Sequence, residues 1–381
     1  MIYILNNPAN PAIMLSEALR RAAELLDRGL TDVDLGVPQF GDARYTPVPF
    51  SAANFRDLPL AGPGATLGFV DGGNREVLHA PDFSVQLVRV CSLLFRNGER
   101  APHRTIPSRI EFLSIARAFP RGGEIYYAAE LLPVGRPAEA FLPDPESLVM
   151  SSRDEELSSG RFRLDISVVG AAARRFAEWQ MLAGLMEHEL DRGDIAIRDG
   201  TLQTAVRNEA GPASAAFSAA AGRGVVLTAL AKTSALFTSS GVSLLAAVEK
   251  LSRDAGRTGA WYYHPLVKND HPEHRAEIFA CRLHPSSKHV FRFEILRDQA
   301  RAMDECALRR VFWDLAANSR DLSFPGYPYG LVDVDETARV RRSECSALKA
   351  LLASALAGKG SWQRIESHLS AQDAHDVLDQ I

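Results

Sequence analysis

Two apolar segments, ATLGFVDGG (residues 65–73) and DIAIRDG (194–200), each run into an aspartate followed by glycine. A short apolar run closed by Asp-Gly reads as a buried strand leading into a turn. Strand ends are where α/β sheets present functional groups. Glycine lets the backbone turn sharply and leaves the space beside the carboxylate open. If the two strands lie side by side, Asp71 and Asp199 meet at one edge. They would then form a hard, oxygen-rich site of the kind that Mg²⁺ or Mn²⁺ prefers. Asp-Gly is also the commonest kind of turn, so either segment alone reads as well as a plain surface turn.

The rest of the chain surrounds these segments with strands and helices. Residues 13–28 show helical periodicity, with Leu15, Leu19, Ala22 and Leu26 on one side and Ser16 as a start cap. Residues 37–63 are rich in Pro, Gly and Asn and read as an irregular arm. Strands are expected at 84–96, before the hairpin signal Asn97-Gly98, and at 124–133. Residues 135–160 read as a loop or insertion, and 168–192 as the longest helix. A strand-then-turn follows at 224–234, a helix at 242–255 and an alternating strand at 290–296. Residues 336–357 read as mostly helical, and the tail after Gly358 as polar and peripheral. This order predicts an α/β protein: a mixed sheet with parallel and antiparallel pairs, flanked by helices, with helical extensions at both ends. The expected divisions are an arm over 1–60, a main domain over 61–345, and a C-terminal helix and tail over 346–381.

Composition removes several classes. A net charge of -4 excludes a bulk nucleic-acid coat protein, while leaving room for an enzyme with a local basic groove. The four cysteines, Cys91, Cys281, Cys306 and Cys345, form no CxxC pair, so a zinc ribbon or thioredoxin-like site is not expected. The start, MIYILNNPANP, lacks a basic segment followed by an apolar one, and no apolar run approaches a membrane span. A cytoplasmic protein is expected. There is no Walker A loop, and Gly62, Gly64 and Gly68 precede the first strand, so they make no dinucleotide fingerprint. His264, His271, His274, His284 and His289 match no standard zinc spacing and read as a solvated loop.

VDGG, the long helix, RDGTL, AKTS, FRFE and GYPYGL occur in this order. Together they resemble the NurA nuclease family over about residues 60–345. The resemblance implies an RNase H-like fold and a Mn²⁺- or Mg²⁺-dependent deoxyribonuclease holding one or two ions. Such an enzyme cuts single-stranded DNA internally and degrades DNA from its ends. It also implies a homodimer acting with a HerA-type hexameric DNA translocase, in DNA end processing and repair or in anti-phage defence. The missing Walker motif suits that division of labour.

Carried over residue by residue, Asp71 and Asp199 match the family's two aspartates. The helical glutamate falls on Glu178, flanked by Phe176, Ala177 and Trp179, with Glu187 as the fallback. The C-terminal metal-ligand position falls on Asp335, with Asp333 close by; either aspartate would also serve as a helix N-cap. Lys232 matches the family's lysine and would hold the scissile phosphate, unless it is a surface lysine. Arg292 and Glu294 share one strand face and read as an ion pair or a DNA contact. Two positions depart from the family pattern: Gly73 after Asp71-Gly72, and Arg198 before Asp199. The competing reading is a catalytically weak or inactive RNase H-like subunit that binds DNA or serves as a scaffold.

Overall fold

The computed structural model describes residues 11–30, 34–58, 64–154, 163–232, 234–358 and 360–369. Residues 1–10, Gly62, Thr233 of the AKTS motif and the tail beyond residue 369 lie outside the described residues. The first element is helix α1 (Pro11–Leu30). Ser16 lies inside it and caps nothing. Its apolar face, including Leu15, Leu19 and Leu26, is exposed. The segment expected as an irregular arm carries three short strands, β1 (Pro38–Gln39), β2 (Tyr45–Pro47) and β3 (Phe55–Asp57). The third is an edge of the large sheet.

Next come β4 (Leu67–Ala80), β5 (Phe83–Arg96), β6 (Glu99–Ala101), β7 (Arg109–Arg121), β8 (Glu124–Pro133) and β9 (Met150–Ser151), all antiparallel neighbours. Asn97 and Gly98 both take positive φ (54° and 83°) in the β5–β6 turn, the backbone that a tight hairpin requires. Residues 135–154 are more than a loop: two 3₁₀ turns and β9 bring Phe141, Leu148 and Met150 into the core. Helix α2 (Val168–His188) follows, then β10 (Ile195–Asp199), α3 (Ala210–Arg223), β11 (Val226–Ala231), β12 (Phe237–Thr238) and α4 (Leu244–Asp254). The chain continues through β13 (Trp261–Tyr263), β14 (Val267–Asn269), β15 (Ala276–Arg282) and β16 (Phe291–Leu296). It ends in α5 (Arg297–Ala302), α6 (Glu305–Ala317), α7 (Tyr329–Ala338), α8 (Arg342–Ala357) and α9 (Trp362–Leu369).

The large sheet runs β3-β13-β15-β16-β11-β10-β4-β5-β7-β8-β9, with β6 alongside β5. At its centre β10 is parallel to both β4 and β11, while β11 is antiparallel to β16. Alternation along β4 sends Phe69 to the face covered by α6 and α7, and Val70 to the face covered by α2 and α3. Ten of the nineteen buried positions of α2 and α3 are alanine or glycine, so the two helices pack closely on the sheet and on each other. Gly68 lies within β4 rather than before it, and a Cβ there would come within 2.8 Å of Leu185. No described helix is long and apolar enough to cross a membrane.

The histidine-rich segment is not a solvated loop throughout. His271 and His274 are buried, and His274 Nε2 lies 3.0 Å from Glu294, itself fully buried. Arg292 pairs with the same carboxylate (Nε to Oε1 2.7 Å), so these two residues form a structural ion pair inside the sheet.

Candidate metal centre

The register of the central strands decides where the acids meet. β10 pairs with β4 only as far as Arg198↔Val70. Asp199 is the last residue of β10, and Gly200 turns the chain away with φ 108°. β4 does not stop there. Asp71 lies in mid-strand, and β4 continues against β5 to Ala80. The expectation that both aspartates end their strands therefore holds for Asp199 only. Asp71 nevertheless reaches the edge, because its neighbour β10 ends beside it.

Asp335 comes from α7 on the overlying layer. Asp71, Asp199 and Asp335 each offer a carboxylate oxygen, and these oxygens lie within 4.8 Å of one another. Asp333 and Asp335 both lie inside α7, whose N-cap is Pro328, so neither caps it. Asp333 instead faces Arg100 at 3.8 Å. Lys232, just past the end of β11, puts its Nζ 2.6 Å from both Asp199 and Asp335. It is no free surface lysine.

Glu178 stands beside this trio rather than within it. Its side chain is 3% exposed, and one oxygen accepts from Arg198 at 2.8 Å while the other pairs with Arg174. Glu187 is exposed and beside His188. Arg198 is buried, its guanidinium 4.5 Å over the Trp179 ring, and it also donates to the Thr201 carbonyl. The unusual arginine before Asp199 is thus the partner that lets Glu178 remain buried, since an unpaired buried carboxylate is costly. Arg174 also donates to Asn74 and to the Gly72 carbonyl.

The second departure has a steric cause. A Cβ at Gly72 would sit 2.7 Å from Glu178 Oε1, and one at Gly73 would overlap the Ala338 carbonyl at the end of α7. Both helices that carry acids press on β4 at Gly72-Gly73, and no larger residue fits.

Charge crowding perturbs the acids. Burial, with Glu178 and Asp199 nearby, pushes the Asp71 carboxyl up to about 8, despite a hydrogen bond from its neighbour Gly72 N at 2.7 Å. Burial also raises Asp199, and Lys232 opposes that. Asp335 goes the other way: burial resists, but hydrogen bonds from Lys232 and Arg339 hold it below the ordinary carboxylate value. Desolvation lowers Lys232, yet its contacts with Asp199 and Asp335 outweigh this and keep it protonated. Four carboxylates (Asp71, Glu178, Asp199, Asp335) here face four cations (Arg174, Arg198, Lys232, Arg339).

Tyr327 belongs to the site and was not singled out from the sequence. It is 1% exposed, and its hydroxyl has no hydrogen-bond partner among the described residues. Burial and the charges of Asp199, Asp71 and Asp335 raise its pKa. The signal lay in GYPYGL, where Gly326 takes φ 90° and Pro328 starts α7, fixing the residue between them. Oxygen-only donors, a carboxyl whose pKa is raised by burial and by neighbouring acids, and a buried hydroxyl without a partner fit a hard divalent cation.

No family model matches the sequence, and no curated protein matches it. Among solved structures, the chain is similar to the NurA nuclease from Sulfolobus solfataricus, with a TM-score of 0.50, 12% identity, and coverage of 91% of this chain and 96% of that one. It has a slighter likeness to the A. aeolicus Argonaute: TM-score 0.28, 9% identity, covering 72% of this chain and 28% of that one. The fold is the RNase H-like mixed α/β fold of the Sulfolobus protein.

Proposed function

We propose that this protein is a metal-dependent deoxyribonuclease that hydrolyses phosphodiester bonds in single-stranded DNA and at DNA ends. The carrying observation is the convergence of Asp71, Asp199 and Asp335 from three separate elements, with Lys232 Nζ 2.6 Å from two of them. A fold like that of a NurA nuclease adds support.

Asp71, Asp199 and Asp335 would hold one or two Mn²⁺ or Mg²⁺ ions, with Glu178 as a further ligand once released from Arg174. When bound, the cation supplies an activated water and neutralises charge on the leaving oxygen. Lys232 Nζ steadies a non-bridging phosphate oxygen as negative charge builds. The Tyr327 hydroxyl, buried near the acids and without a partner of its own among the described residues, would be free to donate to a bound water or phosphate oxygen. Asp71 gives up its proton on entering the ligand set. Contacts to the backbone phosphates dominate affinity, which falls steeply with salt, and sequence preference is weak.

In this reading the protein is cytoplasmic and works as a homodimer with a HerA-type hexameric translocase, in DNA end processing and repair or in anti-phage defence. A catalytically silent DNA-binding or scaffold subunit is the second reading. The double clamp of Arg174 and Arg198 on Glu178 favours it, because that carboxylate is already fully paired.

The test is cleavage of end-labelled single-stranded DNA in Mn²⁺ by the wild type, Asp71→Asn and Asp199→Asn, with EDTA controls. Cleavage lost in both folded variants supports the nuclease. Cleavage that survives both would overturn the assignment. DNA binding without cleavage, even with translocase and ATP added, would leave the silent subunit.

A further inference from the structure

One cavity lies at the same end of the central strands as the acids and shares no residue with them. Its volume is about 440 Å³, within the range of small-ligand sites. It opens at the same end of the sheet as Lys232 but on the opposite face, so a DNA strand crossing the end of the sheet would meet both. Arg292, on its wall, is the ladder partner of Ala231, the residue before Lys232. Gln203, four residues past Asp199, forms another wall. The ribbon of β1 and β12 overhangs it, placing Phe40 and Phe237 at the rim.

The aromatic residues are arranged for more than packing. Phe237 is 52% exposed although it sits in a paired strand. Phe40 stacks on Tyr45 with centroids 5.1 Å apart and planes 16° from parallel. The Tyr45 hydroxyl is held 2.8 Å from His274 Nδ1, which fixes that ring in turn. The walls are unsuited to a phosphate. Asp42 lies at the mouth, and the Arg292 guanidinium is already paired with Glu294. Asp42 is itself paired with Arg44, so the lining carries little free charge, and a neutral, planar ligand with polar edges suits it: rings to stack on and the Gln203 amide to meet amino and carbonyl groups.

We infer that this cavity is a base-holding subsite, which takes the unpaired base of a nucleotide next to the scissile phosphate and stacks it against Phe237 and Phe40. The inference rests on the nuclease reading and adds to it. It assigns phosphate to Lys232 and the metal edge, and the neighbouring base to the aromatic cavity. It also accounts for a preference for single strands, because a paired base cannot leave its stack without cost. Base–aromatic stacking tolerates any sequence.

The test uses the full chain, a fluorescein-labelled single-stranded oligonucleotide, and Ca²⁺ in place of Mn²⁺ to hold off cleavage. Fluorescence anisotropy is read for the wild type, Phe237→Ala and Phe237→Trp. Exposure of Phe237 makes misfolding of these variants a minor concern, and circular dichroism checks it. Phe237→Ala should weaken binding about tenfold, and Phe237→Trp should restore it with quenched indole fluorescence. A series of oligonucleotides with one abasic position each should contain one member that wild type and Phe237→Ala bind equally. Equal binding of the intact oligonucleotide by wild type and Phe237→Ala would overturn the subsite and leave the nuclease reading standing. Absence of binding by the wild type, together with absence of Mn²⁺-dependent cleavage, would overturn both.

Discussion

Replacing Asp71 with asparagine should stabilise the metal-free protein near neutral pH while removing its response to Mn²⁺. In the folded chain the Asp71 carboxyl is pushed from 3.8 up to about 8 by burial and by Glu178 and Asp199. A carboxyl whose folded pKa is raised binds more protons folded than unfolded. Stability is then greatest below 3.8 and declines as pH rises from there to about 8. At pH 7 a little over three pH units of that interval have been crossed. At 1.36 kcal/mol per unit this gives an upper value of about 4 kcal/mol. Water in the half-open site screens part of it, so a gain of roughly 2–4 kcal/mol is expected for Asp71→Asn, or about 3–6 °C in Tm. The assay is thermal unfolding in EDTA at pH 7 and pH 5, then with Mn²⁺. The gain should shrink toward pH 5, and Mn²⁺ should stabilise the wild type only, reversing the order. A Tm for Asp71→Asn at or below wild type in EDTA at pH 7 would refute the reasoning. So would equal stabilisation of both proteins by Mn²⁺. The cost carried by the native aspartate is the kind expected of a site kept for function.

Three further outcomes are expected. Mn²⁺ affinity, measured by calorimetry, should rise with pH up to about 8, because Asp71 must lose its proton to bind; a flat profile between pH 6 and 8 would count against Asp71 as a ligand. Glu178→Ala leaves the buried Arg198 unpaired and should cost about 3–5 kcal/mol in chemical denaturation, with much of the loss recovered in Glu178→Ala/Arg198→Met. Gly73→Ala forces β4 away from the Ala338 carbonyl and shifts α7 with Asp335, so it should reduce cleavage by at least tenfold, beyond what its loss of stability explains.

Much of the architecture was readable from local pattern. Strands at Phe83–Arg96, Glu124–Pro133 and Phe291–Leu296 follow from apolar and β-branched runs between turn signals, and helix α2 from apolar spacing. Arg292 and Glu294 were placed on one face by strand alternation alone, and they pair there. Errors arose where burial depended on distant partners. The apolar stripe of α1 promises a buried helix, but nothing among the described residues covers it. His271 and His274 look solvated in sequence and are buried because Asn269, Glu294 and Arg297 supply their surroundings.

The site divides in the same way. Asp-Gly after an apolar run is a local signal, so the chain itself marks Asp71 and Asp199 as candidates, while Lys232 and Asp335 were marked only by the order of motifs that resembles the nuclease family. Only the tertiary structure decides that Asp71 is a mid-strand residue exposed by the early end of β10, since strand register is a relation between segments 120 residues and more apart in the chain. It alone pairs Glu178 with Arg198 and Arg174, explains Gly72-Gly73 by two helices pressing on one strand, and buries Tyr327 within electrostatic reach of the acids. Electrostatic burial is a property of the assembled layers, so no sequence window contains it.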